Sequence, residues 1–305
     1  MSVIREKIPE PLAGERLDRV VAMITSCSRA QAVALIEACA VSISGKAISS
    51  KSYKVRPGQR ISIDDELLRM TVEQLGDDSV KFAVVFEDAD VVVIDKPSGL
   101  VVHPGTGADT GTLVNGLLAR YPEISAVGQA GRPGVVHRLD RGTSGLMVVA
   151  RSQRAYIALV EMLAKHEINR TYTALIHGEL KSSRGVIDSP IGRSLTNATH
   201  MAISPAGKVA VTRYEVKRHY AVPVVATLVE VNLETGRTHQ IRVHMKAIGH
   251  PLIGDDLYSR RRVAGIERIF LHSSEIRFAH PVTGEEISAF SELPRELSEF
   301  LEKLT

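Results

Sequence analysis

The sequence predicts an α+β protein in two parts. A small basic module of two short helices and a small sheet comes first, and a larger body built on a mixed, mostly antiparallel sheet follows. Three observations carry this prediction. The chain has 305 residues, and at roughly 100–200 residues per domain that length suits two domains. Its charge is unevenly spread: residues 1–63 hold 10 Lys and Arg against 5 Asp and Glu, residues 64–80 hold 1 against 6, and the rest hold 27 against 24. Beyond residue 81, short apolar runs alternate with turn residues and a few helical stripes, without a regular strand–helix repeat.

In the first part, LDRVVAMI places Leu17, Val20, Val21 and Ile24 at the i, i+3, i+4, i+7 spacing of a helix. Ser28 with Gln31 three residues on forms a capping-box pattern that opens a second helix through RAQAVALIEA. VSISG then reads as a strand with Val41 and Ile43 on one face and a turn at Ser44-Gly45, and ISI at 61–63 as another strand. Such a basic module suits a polyanionic partner, the alternative being a merely solvated surface. Residues 64–80 carry too few apolar side chains for a core and read as an acidic linker.

In the body, FAVVFEDADVVVIDKPSG holds two strands around a turn at Glu87–Asp90, and GTLVNGLLARY is an amphipathic helix. GVVHRL and GLMVVAR read as strands flanking the loop LDRGTSG, and 153–167 as a helix. TYTALIHG, VTRYEVKRHY, VVATLVEVNL and THQIRVHM read as further strands.

Hydrophobic residues are 44% and charged residues 24% of the chain, which excludes disordered and collagen-like classes. There is no apolar run of about 18 residues to cross a membrane, and the charged start MSVIREKIPE has no secretory apolar core. Cys27 and Cys39 flank the second predicted helix. Its length of roughly 18 Å is too great for a disulfide, and no Cys/His spacing suggests zinc. A reducing, cytoplasmic setting is expected. No Gly-rich dinucleotide or phosphate-loop motif is present, which disfavours the nucleotide cofactor folds.

Three stretches can carry chemistry. In GVVHRLDRGTSGLMVVAR, Asp140 is expected at a strand end, on a glycine-bearing loop between Arg138 and Arg141. A carboxylate there can serve as nucleophile, general base or metal ligand, or can simply cap the loop. In LETGRTHQIRVHM, a strand would put Thr238, Gln240, Arg242 and His244 on one face and His239, Ile241 and Val243 on the other, so the two histidines would not share a metal. In NRTYTALIHG, Tyr172 beside Arg170 could stack on a base or fill a core.

Residues 14–63 resemble S4 RNA-binding domains, through the Arg-Leu-Asp start, Ser28-Arg29, the Val-Ser-Ile-Ser-Gly strand and the Pro-Gly-Gln turn. That resemblance implies RNA contacts from Arg29 and Lys46. Cys39 and Ser44 stand where such domains usually carry Gly and Asn. From about residue 82 onward, HRLDRGTSGL, NRTYTAL and ETGRTHQIRVH, supported by DKPSGLVVHPG, GHPLIGDDLY and LHSSEIRFAHPVTGE, resemble the RluA-type pseudouridine synthases. With the S4-like module in front and THMAISPAGKVAVTRY at 199–214, the resemblance runs to the D-type branch, which acts on 23S rRNA of the large ribosomal subunit. A member acting on tRNA or another rRNA site is the alternative. The domains implied are 14–63 (S4-like), 64–80 (linker) and 81–305 (catalytic).

The resemblance implies isomerisation of uridine to pseudouridine. Asp140 would be the essential carboxylate, Arg237 the cation that orients it, and Tyr172 a stacking platform and base. Ile241 would line the pocket and Arg138 would displace the target base. No cofactor or metal is implied, and nothing demands more than a monomer. A non-catalytic RNA-binding protein would lack these polar residues. A glycosidase would normally need a second carboxylate, for which Glu234 is the nearest acidic residue within the motifs.

Overall fold

The structure, a computed structural model, describes residues 3–25, 29–64, 76–103, 110–129, 131–194, 200–259 and 261–305. The chain divides into two compact units, Met1–Gln74 and Leu75–Thr305.

The first unit runs β1 (Val3–Lys7), α1 (Leu17–Thr25), α2 (Arg29–Glu37), β2 (Val41–Ile43), β3 (Lys46–Ala47) and β4 (Arg60–Asp64). Its strands form an antiparallel sheet in the order β1-β4-β2-β3. Leu17, Val20 and Val21 of α1 and Leu35 and Ile36 of α2 are buried with Val41, Ile43, Ile61 and Ile63, as the apolar spacing of each segment requires. β1 carries no such signal: VIREK is exposed apart from a half-buried Ile4, and it is held as an edge strand by pairing with β4.

Ser44 and Gly45 have φ of 49° and 85°, the two-residue turn whose twist suits a hairpin. Cys39, just past α2, has φ of 58°. It stands where a glycine ordinarily ends a helix, and an L-residue there costs about 1–2 kcal/mol. Glycine's extra freedom in the unfolded chain offsets part of that cost. Cys39→Gly should therefore stabilise this unit by up to about 1 kcal/mol, read as a higher urea midpoint at unchanged slope. Ser28 with its capping box, Cys27 and residues 65–75 of the connector lie outside the described residues. The end of the connector belongs to the second unit, where the Asp77 amide donates to the Asn115 carbonyl at 2.9 Å.

The second unit follows in chain order. It holds β5 (Ala83–Glu87), β6 (Val91–Lys96), α3 (Leu113–Arg120), β7 (Gly128–Gln129), β8 (Arg132–Pro133), β9 (Ser144–Ala150), α4 (Gln153–Ala164) and β10 (Asn169–His177). Next come β11 (Arg184–Asp188), β12 (Ile191–Arg193), β13 (Met201–Ile203), β14 (Val211–Tyr220) and β15 (Ala226–Leu233). The last elements are α5 (Gln240–Ala247), β16 (Leu271–Ala279), β17 (Glu286–Phe290) and α6 (Arg295–Glu302). A nine-stranded sheet has the order β11-β14-β15-β10-β16-β9-β6-β5, with β17 paired to β16, and β7–β8 and β12–β13 are separate ribbons. The β9–β16 pairing is parallel, and the other strand pairs among the described residues are antiparallel.

VVVIDK and SGLMVVA are continuous apolar runs because both faces of the sheet are covered. Val92, Ile94, Met147 and Val149 pack in one core with Leu113 and Leu117 of α3. Val91, Val93, Leu146 and Val148 pack in another with Ala155 and Leu159 of α4. At the parallel junction a Cβ on Gly145, whose φ is 111°, would lie 2.2 Å from the Ser273 carbonyl oxygen, so only glycine admits this approach.

Two expected strands are absent. GVVHRL forms a single bridge, Val135 to Val149. Otherwise it runs as an irregular segment, so Asp140 sits in a loop and not at a strand end. THQIRVHM is not a strand: its residues enter α5, with His239 at the N-cap in a left-handed conformation, φ 58°. Of the period-2 polar face that suggested a strand, Gln240 and His244 are buried and hydrogen-bonded. Gln240 donates to the Val211 carbonyl and Thr212 Oγ1, both at 3.0 Å. His244 meets Thr212 Oγ1 at 2.8 Å and the Ser189 carbonyl at 2.9 Å. Tertiary partners thus decide this eight-residue helix.

Candidate active site

The loop 140–143 is tied down from below by the segment after β6. The Arg141 carbonyl accepts from the Gly99 amide at 2.8 Å, and the Gly142 carbonyl accepts from Ser98 Oγ at 2.9 Å. Lys96 is wholly buried, and its Nζ donates to the carbonyls of Pro97 (2.9 Å), Leu100 (2.9 Å) and Arg141 (3.4 Å). Burial pushes its ammonium down to about 7, aided by Arg268 and opposed by Asp140 and Asp95. The loop is closed on itself by the Thr143 amide donating to the Asp140 carbonyl at 3.1 Å.

This scaffold presents Asp140 to a cavity of about 670 Å³, also lined by Tyr172, Arg138, Ile241, Arg237, His239 and Arg242. Arg242, in the first turn of α5, donates from Nη1 to Asp140 Oδ2 at 3.2 Å. Its Nε and Nη2 hold Asp255 through two 2.8 Å bonds. Asp255 is 1% exposed and also accepts the amides of Leu257 and Tyr258. Burial opposes the Arg242 charge, but the bonds and charge of Asp255, with Asp140 adding, raise its pKa above the usual guanidinium value. Arg242 is thus a fixed cation, locked on its far side and aimed at Asp140.

Each residue expected from the sequence has a defined place. Tyr172 on β10 is 4% exposed in the cavity wall. Burial raises its hydroxyl pKa, against the Arg170 charge and a hydrogen bond with Ser273. Ile241 on α5 is a buried wall residue and Arg138 an exposed one. Arg237 lines the cavity but does not hold Asp140: it is exposed, and its Nε donates to the Val209 carbonyl at 2.9 Å. The contact expected between Arg237 and the carboxylate is not made in this structure, where Arg242 holds Asp140 instead. His239 stands beside it, with Nε2 3.9 Å from Asp140 Oδ2. Neither His239 nor Arg242 stood out in the sequence, because a strand puts residues three apart on opposite faces and only a helix puts them on one.

In the first unit, Arg29 pairs with buried Asp18 at 3.1 Å, Arg16 holds the same carboxylate at 3.0 Å, and both guanidinium groups are largely exposed. Lys46 is exposed on β3. Arg29 and Lys46 belong to this unit and not to the cavity. Among the described residues no three His, Cys, Asp or Glu side chains gather as a metal site, and no helix is long and apolar enough to cross a membrane.

Residues 90–247 match the RNA pseudouridylate synthase family, and residues 15–61 match the S4 domain. The chain is 40% identical over 299 residues to an uncharacterised RNA pseudouridine synthase of Bacillus subtilis, covering 97% of this chain and 96% of that one. It is 39% identical over 311 residues to the ribosomal large subunit pseudouridine synthase D of Yersinia pestis, covering 97% and 93%. Among solved structures, human RNA pseudouridylate synthase domain containing 1 superposes with a TM-score of 0.56 at 27% identity, covering 70% of this chain and 84% of that one. Human RNA pseudouridylate synthase domain containing 4 gives 0.56 at 25%, covering 72% and 92%. The chain therefore belongs to the RNA pseudouridylate synthase family and carries an S4 domain ahead of the synthase domain.

Proposed function

We propose that this enzyme isomerises uridine to pseudouridine in 23S rRNA of the large ribosomal subunit, with Asp140 as the essential carboxylate, Arg242 as its orienting cation and Tyr172 as the stacking platform. The observation that supports the site most is the Asp255–Arg242–Asp140 chain, which holds one carboxylate at a cavity large enough for a flipped nucleotide. The likeness to ribosomal large subunit synthases over nearly the whole chain supports the substrate. In the reaction the N1–C1′ bond opens, C1′ joins C5, the C5 proton leaves and N1 gains a proton, so no redox or energy-carrying partner is consumed. Asp140 assists by attack on the sugar, by attack on the ring or by removing a sugar proton.

A glycosidase reading fails on the second carboxylate. Asp255 is closed off by Arg242 and two amides, and Glu234 is paired to Arg213. Neither is placed as a free general acid. Mapping pseudouridine in rRNA and tRNA of cells lacking the protein tests the substrate. Loss of 23S sites, restored by the wild-type gene, is expected, whereas loss confined to tRNA would redirect the assignment.

The first unit supplies RNA affinity in this reading. Replacing both Arg29 and Lys46 by Ala should weaken binding and reduce the slope of log affinity against log salt by roughly 1.5. Turnover at saturating RNA should stay near wild type. Tyr172→Phe separates stacking from proton handling: the ring keeps its stacking worth of about 1–3 kcal/mol, so RNA binding should persist. If the hydroxyl is the base, single-turnover product formation should fall by about 10²-fold or more.

A further inference from the structure

His239 occupies a position that its role as a helix N-cap does not explain. It takes the left-handed conformation, φ 58°, and makes no side-chain cap to its own helix. Its Nδ1 lies 2.7 Å from the Tyr258 hydroxyl. That hydroxyl already accepts the Met201 amide at 2.8 Å, and Tyr258 is itself buried. A phenol has one proton to give, and among the described residues the only acceptor on this hydroxyl is His239 Nδ1. Were Nδ1 protonated, two donors would converge on the Tyr258 oxygen and its own buried proton would have no partner. The satisfied arrangement is Met201 N–H to Tyr258 oxygen, and Tyr258 O–H to bare Nδ1. The proton of the neutral ring is then on Nε2.

Nε2 faces the cavity. Among the described residues the carboxylate it approaches is Asp140, with Oδ2 3.9 Å away, beyond a direct hydrogen bond, so its N–H is left for a third party. The groups that face this ring are Asp140, Arg242, Asp255 and Arg138. Burial lowers the imidazole pKa, and Arg242 and Arg138 add to this while Asp140 and Asp255 oppose it. The ring is therefore neutral at pH 7 and offers a fixed donor with no charge of its own. Its orientation is held by an edge-on contact with the Tyr258 ring, centroids 5.5 Å apart, and Tyr258 is in turn covered by the Arg242 guanidinium at 4.9 Å.

We propose that His239 is a further catalytic residue of this site, a preorganised Nε2–H donor to a carbonyl oxygen of the uracil ring, with Tyr258 as the positioning residue that fixes its tautomer. This rests on the reading of the Asp140 cavity as the uridine site. When the N1–C1′ bond opens, its electron pair passes to the uracil, where N1 and the two ring oxygens share it. A donor on one of those oxygens binds the ring more tightly in that state than before. The hydrogen bond moves no proton: His239 keeps its Nε2–H throughout, and the proton lost from C5 and the one gained at N1 are handled by other groups. Such a donor, aimed at developing charge in a closed site, is worth about 10²–10³ in rate.

The test uses the full-length protein in two independent ways. In the free wild-type enzyme, nitrogen NMR of labelled histidine should show His239 as the Nε2–H tautomer at pH 7, and Tyr258→Phe should shift it towards a mixture. In single-turnover pseudouridine formation on a 23S rRNA fragment, His239→Ala should be slower by ~10²-fold with RNA affinity within about threefold of wild type. His239→Gln, whose amide nitrogen reaches the Nε2 position, should recover at least about tenfold of that loss. His239→Asn suits the left-handed backbone best but puts its amide at the Nδ1 position. It should fold at least as well as the Ala variant and remain as slow, which preserves the comparison should the Ala variant melt. An Nδ1–H tautomer, wild-type turnover by the Ala or Asn variant, or a Gln variant no faster than Asn would each overturn the proposal. Absence of pseudouridine with the wild-type protein would instead remove the uridine-site reading on which it rests, while leaving the tautomer measurement to stand on its own.

Discussion

Replacing Asp140 with Asn should cut pseudouridine formation by at least ~10³-fold, in keeping with the loss of a catalytic group that acts as part of a unit, while RNA still binds. Asn keeps the shape of the side chain and removes its charge. The loop that carries it is held through backbone carbonyls by Lys96, Ser98 and Gly99, none of which contacts the Asp140 carboxylate, so the loop should keep its course. The change does leave Arg242 with one carboxylate where it had two. Because Asp255 retains the bidentate pair, the stability loss should fall below the 3–5 kcal/mol typical of a fully broken buried pair. A melting curve showing a folded variant at the assay temperature therefore belongs with the rate. Product should be counted as pseudouridine per RNA strand in a single turnover, so that binding and release do not enter.

The second large effect separates two arginines. Arg242→Lys keeps a positive charge between Asp140 and Asp255 but replaces a planar fork by a point donor that cannot serve both carboxylates in the same geometry. A carboxylate displaced by about 1 Å commonly costs ~10²-fold, and that is the expected loss. Arg237→Lys should cost under about threefold, because among the described residues the Arg237 side chain bonds only to the Val209 carbonyl at the exposed rim and surface polar contacts carry little. Equal losses in the two variants would mean that Arg237 swings onto Asp140 when RNA is bound, and the orienting role would pass back to it.

That pair also shows what could and could not be read from the chain. The helices at 17–25 and 113–120 and the strands at 91–96, 144–150 and 169–177 are legible because each has an apolar stripe or run that its burial then uses, and the helix at 29–37 is announced by the Ser28–Gln31 capping pattern. β1 is illegible because an edge strand needs only its backbone partners. α5 is misread because Gln240 and His244 are polar yet buried, satisfied by Val211, Thr212 and Ser189 from elsewhere in the chain. Once that segment is a helix, His239 and Arg242 fall on one face toward Asp140, with Arg242 bonded to it and His239 3.9 Å away. The motifs single out Asp140 and Tyr172, and both line the cavity, but Asp140 stands in a loop and not at the expected strand end. Asp255 was visible only as part of GHPLIGDDLY, with no local sign that it would be closed off behind Arg242.

The most direct measurement follows tritium from RNA labelled at uridine C5. Full-length protein and a 23S rRNA fragment should release tritium to water as C1′ replaces hydrogen at C5, with the RNA chain intact and no free uracil. The folded Asp140→Asn variant should release none above background under the same conditions. Free uracil in the wild-type reaction, or tritium release by the Asn variant at the wild-type rate, would contradict the account.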